Sequence, residues 1–154
     1  MMEEFMEKAI RKTRQGMKKG NSPFGACVVK NGEVVALAHN TVLEKHDPTN
    51  HAEINAIRLA CRKLGTHDLA GCAIYSTTEP CPMCFSAIHW AGIGAIVYGT
   101  NISDVKKLGF SELTISNEEM KKKGRAKIKI KKDFMRKECL ELLKDWKKGR
   151  GKVY

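Results

Sequence analysis

His51-Ala52-Glu53 and Pro80-Cys81-Pro82-Met83-Cys84, read with the residues between them, decide how this 154-residue sequence folds. After the first motif, Ile54, Ile57, Leu59, Ala60 and Leu64 recur at helical steps until Gly65, which predicts a helix over residues 52–64. Residues 72–77 form a short apolar run without helical period, which reads as a buried strand. Pro80 then opens a second helix over residues 81–91, where missing proline N–H groups cost little, and residues 95–98 make another buried strand.

Working upstream, residues 24–30 and 33–39 are rich in Val and Ala. They flank Asn31-Gly32, the dipeptide best suited to a two-residue hairpin turn. The first twenty residues place Phe5, Met6, Ala9, Ile10, Thr13 and Met17 on one helical face, ended by Gly20-Asn21-Ser22-Pro23, and residues 40–50 read as a polar loop. The order strand, strand, helix, strand, helix, strand describes an α/β sandwich in which helices cover a sheet. Downstream the pattern weakens. Residues 102–108 predict a short helix, 109–112 a turn, and 117–123 a helix begun by an Asn cap. Residues 126–132 alternate Lys with Ile, as an edge strand does, and 134–146 predict a last helix with Phe134, Cys139, Leu142, Leu143 and Trp146 on its apolar side. The length suits one domain over residues 1–154, and no repeat or linker divides it.

No stretch approaches the roughly 18–20 apolar residues of a membrane span, and the acidic start Met1-Met2-Glu3-Glu4 is unlike a signal peptide, so the sequence predicts a cytoplasmic protein with no membrane partner. In such a compartment the six cysteines do not read as disulfides: Cys81 and Cys84 point to metal, and Cys27, Cys61, Cys72 and Cys139 to buried small hydrophobes. The net charge of +11 is uneven, being +2 over residues 1–100 and +9 over residues 101–154. A basic C-terminal third attracts RNA or other polyanions; the plainer reading is a solvated lysine-rich surface.

One imidazole and two thiolates hold a zinc ion on three sides and leave one position for water, the layout of a catalytic site. His51, Cys81 and Cys84 are those ligands. Glu53 is the spare carboxylate, able to carry protons between water, a ring nitrogen and a departing amine. In a regular helix His51 and Glu53 would point about 200° apart, so convergence requires the helix to begin at His51. The plain alternatives are a thiol redox pair or half a structural zinc site for CxxC, and a capping-box-like start at Asn50 and Glu53 for the other motif. HxE followed by PCxxC is a known signature of zinc nucleobase deaminases.

With Pro23-Phe24-Gly25-Ala26, Asn40, Asp47-Pro48-Thr49, Glu79 and Trp90-Ala91 added to these motifs, the chain resembles the cytidine-deaminase superfamily, and within it the bacterial-type guanine deaminases. The resemblance implies a three-layer α/β/α sandwich around a five-stranded mixed sheet, a bound zinc, and hydrolytic deamination of guanine, a purine base, to xanthine and ammonia. It further implies that Asn40 hydrogen-bonds the purine, Phe24 packs on its face, Trp90 walls the pocket, Glu112 contacts substrate and helps move protons, and Tyr154 closes over the pocket. A homodimer with residues from about 117 to 154 exchanged between subunits is also implied. Each role has a plain alternative: Phe24 and Trp90 as core, Glu112 as a solvated turn residue, Tyr154 as a frayed end. Asn50 departs from the family, which usually has Ala there, and reads either as a cap or as a residue that alters base choice.

The main rival is a transfer-RNA adenosine deaminase with the same zinc and Glu53, supported by the basic C-terminal third. Against it stand Phe24, where the editing enzymes have Val-Gly, and the lack of a Gly-Cys-Ala-Gly-like segment after Tyr98. Cytosine deaminase is a third reading within this chemistry. A non-catalytic zinc-stabilised RNA-binding protein is a fourth; it needs another protein ligand from His39, His46, His67, His89 or Cys72.

Overall fold

The structure is a computed structural model describing residues 1–154. Its elements in chain order are α1 (Met2–Lys18), β1 (Gly25–Lys30), β2 (Glu33–His39), α2 (Val42–Lys45), α3 (Ala52–Leu64), β3 (Cys72–Thr78), α4 (Pro82–Trp90), β4 (Ala95–Thr100), α5 (Ile102–Lys106), α6 (Asn117–Gly124), β5 (Lys129–Lys131) and α7 (Arg136–Lys148). The five strands lie in the order β2-β1-β3-β4-β5. β1 is antiparallel to both neighbours, whereas β3, β4 and β5 run parallel. The sheet is therefore mixed and five-stranded, as the resemblance implies.

Side chains alternate across the sheet because successive strand residues point to opposite faces. Ala26, Val28, Ile74 and Ile96 face α3 and α4 and bury Ala52, Ala56, Ala60, Phe85 and Ile88. Cys27, Val29, Tyr75 and Val97 face the other way and bury Phe5, Met6 and Ala9 of α1 with Cys139 of α7. Burial on both faces explains why the central strands read as continuous apolar runs. α7 comes so close to β4 that a side chain at Gly99 would overlap the Cys139 sulfur.

β2 and β3 run in the same direction, each being antiparallel to β1. The loops that leave them emerge at one end of the sheet. One leads to the start of α3 and the other to the start of α4, so the two quoted motifs meet there. Ligand sites of α/β sheets gather outside such strand ends. The turn between β1 and β2 is made by Asn31 at φ 51° and Gly32 at φ 76°, the backbone that Asn-Gly tolerates best.

The structure differs from the sequence reading at several boundaries. The polar loop contains the four-residue α2, ended by His46 in the left-handed conformation. α6 is capped by Ser116, whose hydroxyl accepts from Glu119 N in a capping box, and Asn117 is the first helical residue. β5 has three residues instead of seven, since only Lys129–Lys131 pair with β4. Residues 117–154 pack on their own chain, with α7 against α1 and β4.

Candidate active site

Both metal motifs sit at helix entrances. His51 is the N-cap of α3 with ψ 156°, and Cys81 the N-cap of α4 with ψ 168°, so both are extended where their helices are about to start. The His51-to-Glu53 problem is solved this way: the helix begins after His51, which frees its ring to turn toward the thiols. Asn50 is accordingly not the cap. Its Oδ1 accepts from Arg58 Nη1 at 2.7 Å, and the residue lines neither cavity of the site.

His51 Nδ1 lies 3.6 Å from Cys81 Sγ and 3.6 Å from Cys84 Sγ. A tetrahedral zinc with Zn–N of about 2.05 Å and Zn–S of about 2.3 Å separates nitrogen from sulfur by about 3.6 Å. The donor set fits zinc in type and spacing. These three residues are the one cluster of potential metal ligands in the chain, and His39, His46, His67, His89 and Cys72 lie outside it. A fourth protein ligand, which a purely structural zinc site requires, is missing from it.

The protonation of the three groups is that of a site built for a cation. The Cys81 thiol is held down to about 4, first by the hydrogen bond from the Cys84 thiol and then, against burial, by His51. Cys84 is pushed well up by that same contact, by burial and by the neighbouring Glu53 carboxylate. Burial opposes a charge on His51, but the Cys81 thiolate, Glu53 and Glu112 outweigh it and raise the ring. Metal binding displaces such protons.

Glu53 is 6% exposed, with Oε2 3.5 Å from Cys84 Sγ and Oε1 2.9 Å from Ser76 Oγ. Burial raises its carboxyl, partly offset by His51. Ser76 also reaches Thr78 O at 2.6 Å. One hydroxyl hydrogen cannot serve both acceptors. An ionised Glu53 is the stronger acceptor of the two, and a protonated Glu53 can instead donate to the Ser76 oxygen. The sequence reading missed Ser76, which sits in a Ser-Thr-Thr run with nothing to single it out.

Around this core the structure gathers Phe24, Asn40, Glu112 and Tyr154. Asn40 is buried and held at both ends of its amide: Oδ1 accepts from Val42 N at 3.0 Å and Nδ2 donates to the Tyr154 hydroxyl at 2.5 Å. Aromatic rings connect the wall, Phe24 to Phe110 at 5.2 Å, Phe110 to Tyr154 at 5.2 Å and Tyr154 to His51 at 5.9 Å. Phe110, absent from the sequence-based list, is thus central to the wall. It is backed by Trp146 of α7 at 5.1 Å. Burial, then the Cys81 thiolate, raises the Glu112 carboxyl to about 7. Burial also pushes the Tyr154 phenol up, against the Asn40 hydrogen bond.

Trp90 is a correction. It ends α4, opposite the Cys81 end, is 84% exposed, touches only the neighbouring His89 ring among aromatics, and walls neither cavity.

The inner cavity, bounded by Asn40, Glu53, Glu112 and Tyr154, has a volume of about 20 Å³, enough for roughly one water. An outer cavity of about 240 Å³ adjoins it, lined by Pro48, Met83, Phe110 and Leu113 and sharing His51, Cys81, Glu112 and Tyr154. Tyr154 stands between the two. Larger clefts of about 470 and 520 Å³ lie on the surface, but neither includes Glu53 or the thiols, so volume is no guide to the chemistry.

Residues 1–100 match the family described as the cytidine and deoxycytidylate deaminase zinc-binding region. The chain is 41% identical to guanine deaminase of Bacillus subtilis over 117 residues, 75% of each protein. It is 45% identical over 96 residues to the tRNA-specific adenosine deaminase of Aquifex aeolicus, 62% of this chain and 64% of that one. The solved structure of guanine deaminase from Nitrosomonas europaea superposes with a TM-score of 0.85 at 29% identity, covering 92% of this chain and 82% of that one.

Proposed function

The protein belongs to the cytidine and deoxycytidylate deaminase zinc-binding family, and from that premise we propose that it removes the amino group of a free purine base, converting guanine and water to xanthine and ammonia. The observation that carries the choice of a free base is Tyr154. Its hydroxyl is bonded to Asn40 and its ring lies beside His51, so it covers the inner cavity where a polynucleotide would have to bring its ribose and phosphates. A small planar base needs only the Tyr154 side chain to swing aside, whereas a nucleotide within a chain needs room for its sugar and flanking phosphates as well. The similarity to the Bacillus guanine deaminase and to the Nitrosomonas structure supports the same choice.

Zinc, held by His51, Cys81 and Cys84, would supply a water acidic enough to attack near neutral pH. The remaining work falls to this chain's own groups. Glu53 takes one proton from the attacking water and passes it to the neighbouring ring nitrogen as the new C–O bond forms; it then takes the remaining proton of that hydroxyl and gives it to the amino nitrogen as the C–N bond breaks, leaving a carbonyl and ammonia. Ser76 keeps the Glu53 carboxylate aimed through both of its protonation states. Asn40 orients the base once its amide exchanges the Tyr154 hydroxyl for the substrate. Phe24 packs on the ring, Glu112 contacts the far edge and assists proton movement, and Tyr154 closes behind. We place the enzyme in the cytoplasm as a homodimer in which each subunit keeps residues 117–154 on its own body instead of exchanging them, as the contacts of Asn117, Trp146 and Tyr154 favour.

A second reading, deamination of adenosine in transfer RNA, has one observation of its own. Lys122, Lys123, Arg125, Lys127, Lys129, Lys131 and Lys132 are all exposed along α6 and β5, a surface suited to phosphates. The deciding experiment measures ammonia released by the purified zinc protein from guanine, guanosine, cytosine, adenine and a transfer-RNA anticodon stem-loop. Release from guanine is expected; release from the RNA alone sinks the guanine assignment and leaves the chemistry intact.

A further inference from the structure

The peptide that delivers Cys81 to the metal is held almost entirely from outside the region that carries the ligands. Glu79 N donates to Thr100 O at 2.7 Å. The Glu79 side chain is buried and faces no lysine or arginine; Oε1 accepts from Ile102 N at 3.1 Å and Oε2 from Asn117 N at 2.9 Å. It thereby joins the first residue of α5 to the first residue of α6. The next residue, Pro80, has no N–H to give, and its carbonyl accepts from Asn117 Nδ2 at 2.6 Å. Asn117 has no exposed surface, and its Oδ1 has no partner.

The Glu79 N–H, both of its carboxylate oxygens and the Pro80 carbonyl are thus bonded to residues 100–117. Buried hydrogen-bonded groups of this kind fix a backbone, because leaving one unpaired costs about 1–3 kcal/mol. Cys81 follows at once in an extended conformation, with no side-chain cap of its own to set its direction.

We infer that Glu79 and Asn117 are positioning residues for the metal: together they clamp the Glu79-Pro80 peptide to the start of α6 and so fix where the Cys81 thiolate stands relative to His51 and Cys84. The inference rests on the zinc reading of the site and deepens it. Asn117 contributes two bonds from one residue, its backbone N–H to Glu79 and its amide to Pro80, so the start of α6 acts as the latch. α6 belongs to the region beyond residue 100, and retention of the metal therefore depends on a segment that contains none of its ligands.

The test loads the full-length protein with zinc and follows transfer of the metal to an excess of a chromophoric chelator. Asn117→Ala and Glu79→Gln are expected to release zinc about ten times faster than wild type, the lower end of the usual effect of losing a supporting contact around a metal site. Ser116→Ala removes the cap hydroxyl of α6 without touching Glu79 or Pro80 and is expected to release zinc at the wild-type rate. With cobalt in place of zinc, the thiolate-to-metal absorption should shift in Asn117→Ala and Glu79→Gln and stay in place in Ser116→Ala. Should Asn117→Ala fail to fold, Asn117→Ser keeps a small neutral residue in the first turn of α6 and removes the amide that reaches Pro80. Wild-type release rates in the Asn117 and Glu79 variants, or equally fast release in Ser116→Ala, overturn the clamp. A wild-type protein that takes up no zinc at all overturns the metal reading itself.

Discussion

Residues 1–100 and residues 101–154 build the same pocket by different means. The first region has a net charge of +2 and carries all three metal ligands and Glu53. Each ligand belongs to a helix entrance: His51 and Cys81 are the last extended residues before α3 and α4, and Cys84 lies in the first turn of α4. Their convergence follows from local rules plus the pairing of three strands. The second region carries a net charge of +9 and adds Glu112, Phe110, Tyr154 and the Asn117 latch. These come from loops and a tail that are placed by tertiary contacts, such as Phe110 on Trp146 and Asp104 on Arg136. Gly151 matters for the same reason, because any side chain there would overlap the Trp146 indole that the tail crosses. The reaction type is therefore set locally, and the choice of substrate is distributed.

Substitutions break or sharpen that contrast in graded steps. The largest effect is expected at the ligands: Cys81→Ser should lose both zinc and turnover, and chelator-treated wild type should regain activity when zinc is returned, both read by metal analysis beside ammonia release. Next comes Asn40→Ala. Loss of its contact to the base should cost about 1–3 kcal/mol of binding, about 5- to 150-fold in KM, with zinc content unchanged. A fall in zinc content instead would mean that the two functions are not separable.

Tyr154→Phe should be milder, about fivefold in kcat/KM from one hydrogen bond of about 1 kcal/mol, and should leave metal release untouched. The smallest effect concerns the tie between the C-terminal helix and the body. Arg136 pairs with both Asp104 oxygens, at 2.6 and 3.0 Å, and first among its causes this contact holds the Asp104 carboxyl below its usual value. Arg136→Met should lower stability by up to about 1 kcal/mol, because the pair is partly solvated. The sign with pH is fixed: a depressed carboxylate stabilises the fold above its unfolded value, about 3.9, and loses that contribution as pH falls through the lower folded value. The difference in melting temperature between variant and wild type should be steady near neutral pH and shrink below about pH 4.

The legibility of the sequence follows the same division. Periodicity locates α1, α3 and α7, Asn31-Gly32 the hairpin, and Pro80 the start of α4. HxE with PCxxC points to the metal ligands because one imidazole and two thiolates are a donor set that suits zinc, and in this chain both motifs fall at helix entrances. Cys84, Phe85 and Ile88 form the buried stripe of α4, and Trp90 falls outside it, so helix geometry places Trp90 away from this chain's pocket where family likeness alone does not. Asn50 was ambiguous because a cap and its neighbour share one sequence pattern, and only the ψ of His51 separates them. Ser76, Phe110 and Asn117 left no local mark. Their roles come from partners 23, 44 and 37 residues away in sequence, a separation that no short pattern records.

The most direct test of the account compares xanthine and ammonia formation from guanine by wild type and Glu53→Gln, each verified to hold one zinc. Wild type is expected to turn guanine over, and the variant to lose about 10²- to 10⁴-fold in rate. Comparable rates in the two proteins, or no xanthine from either, would contradict it.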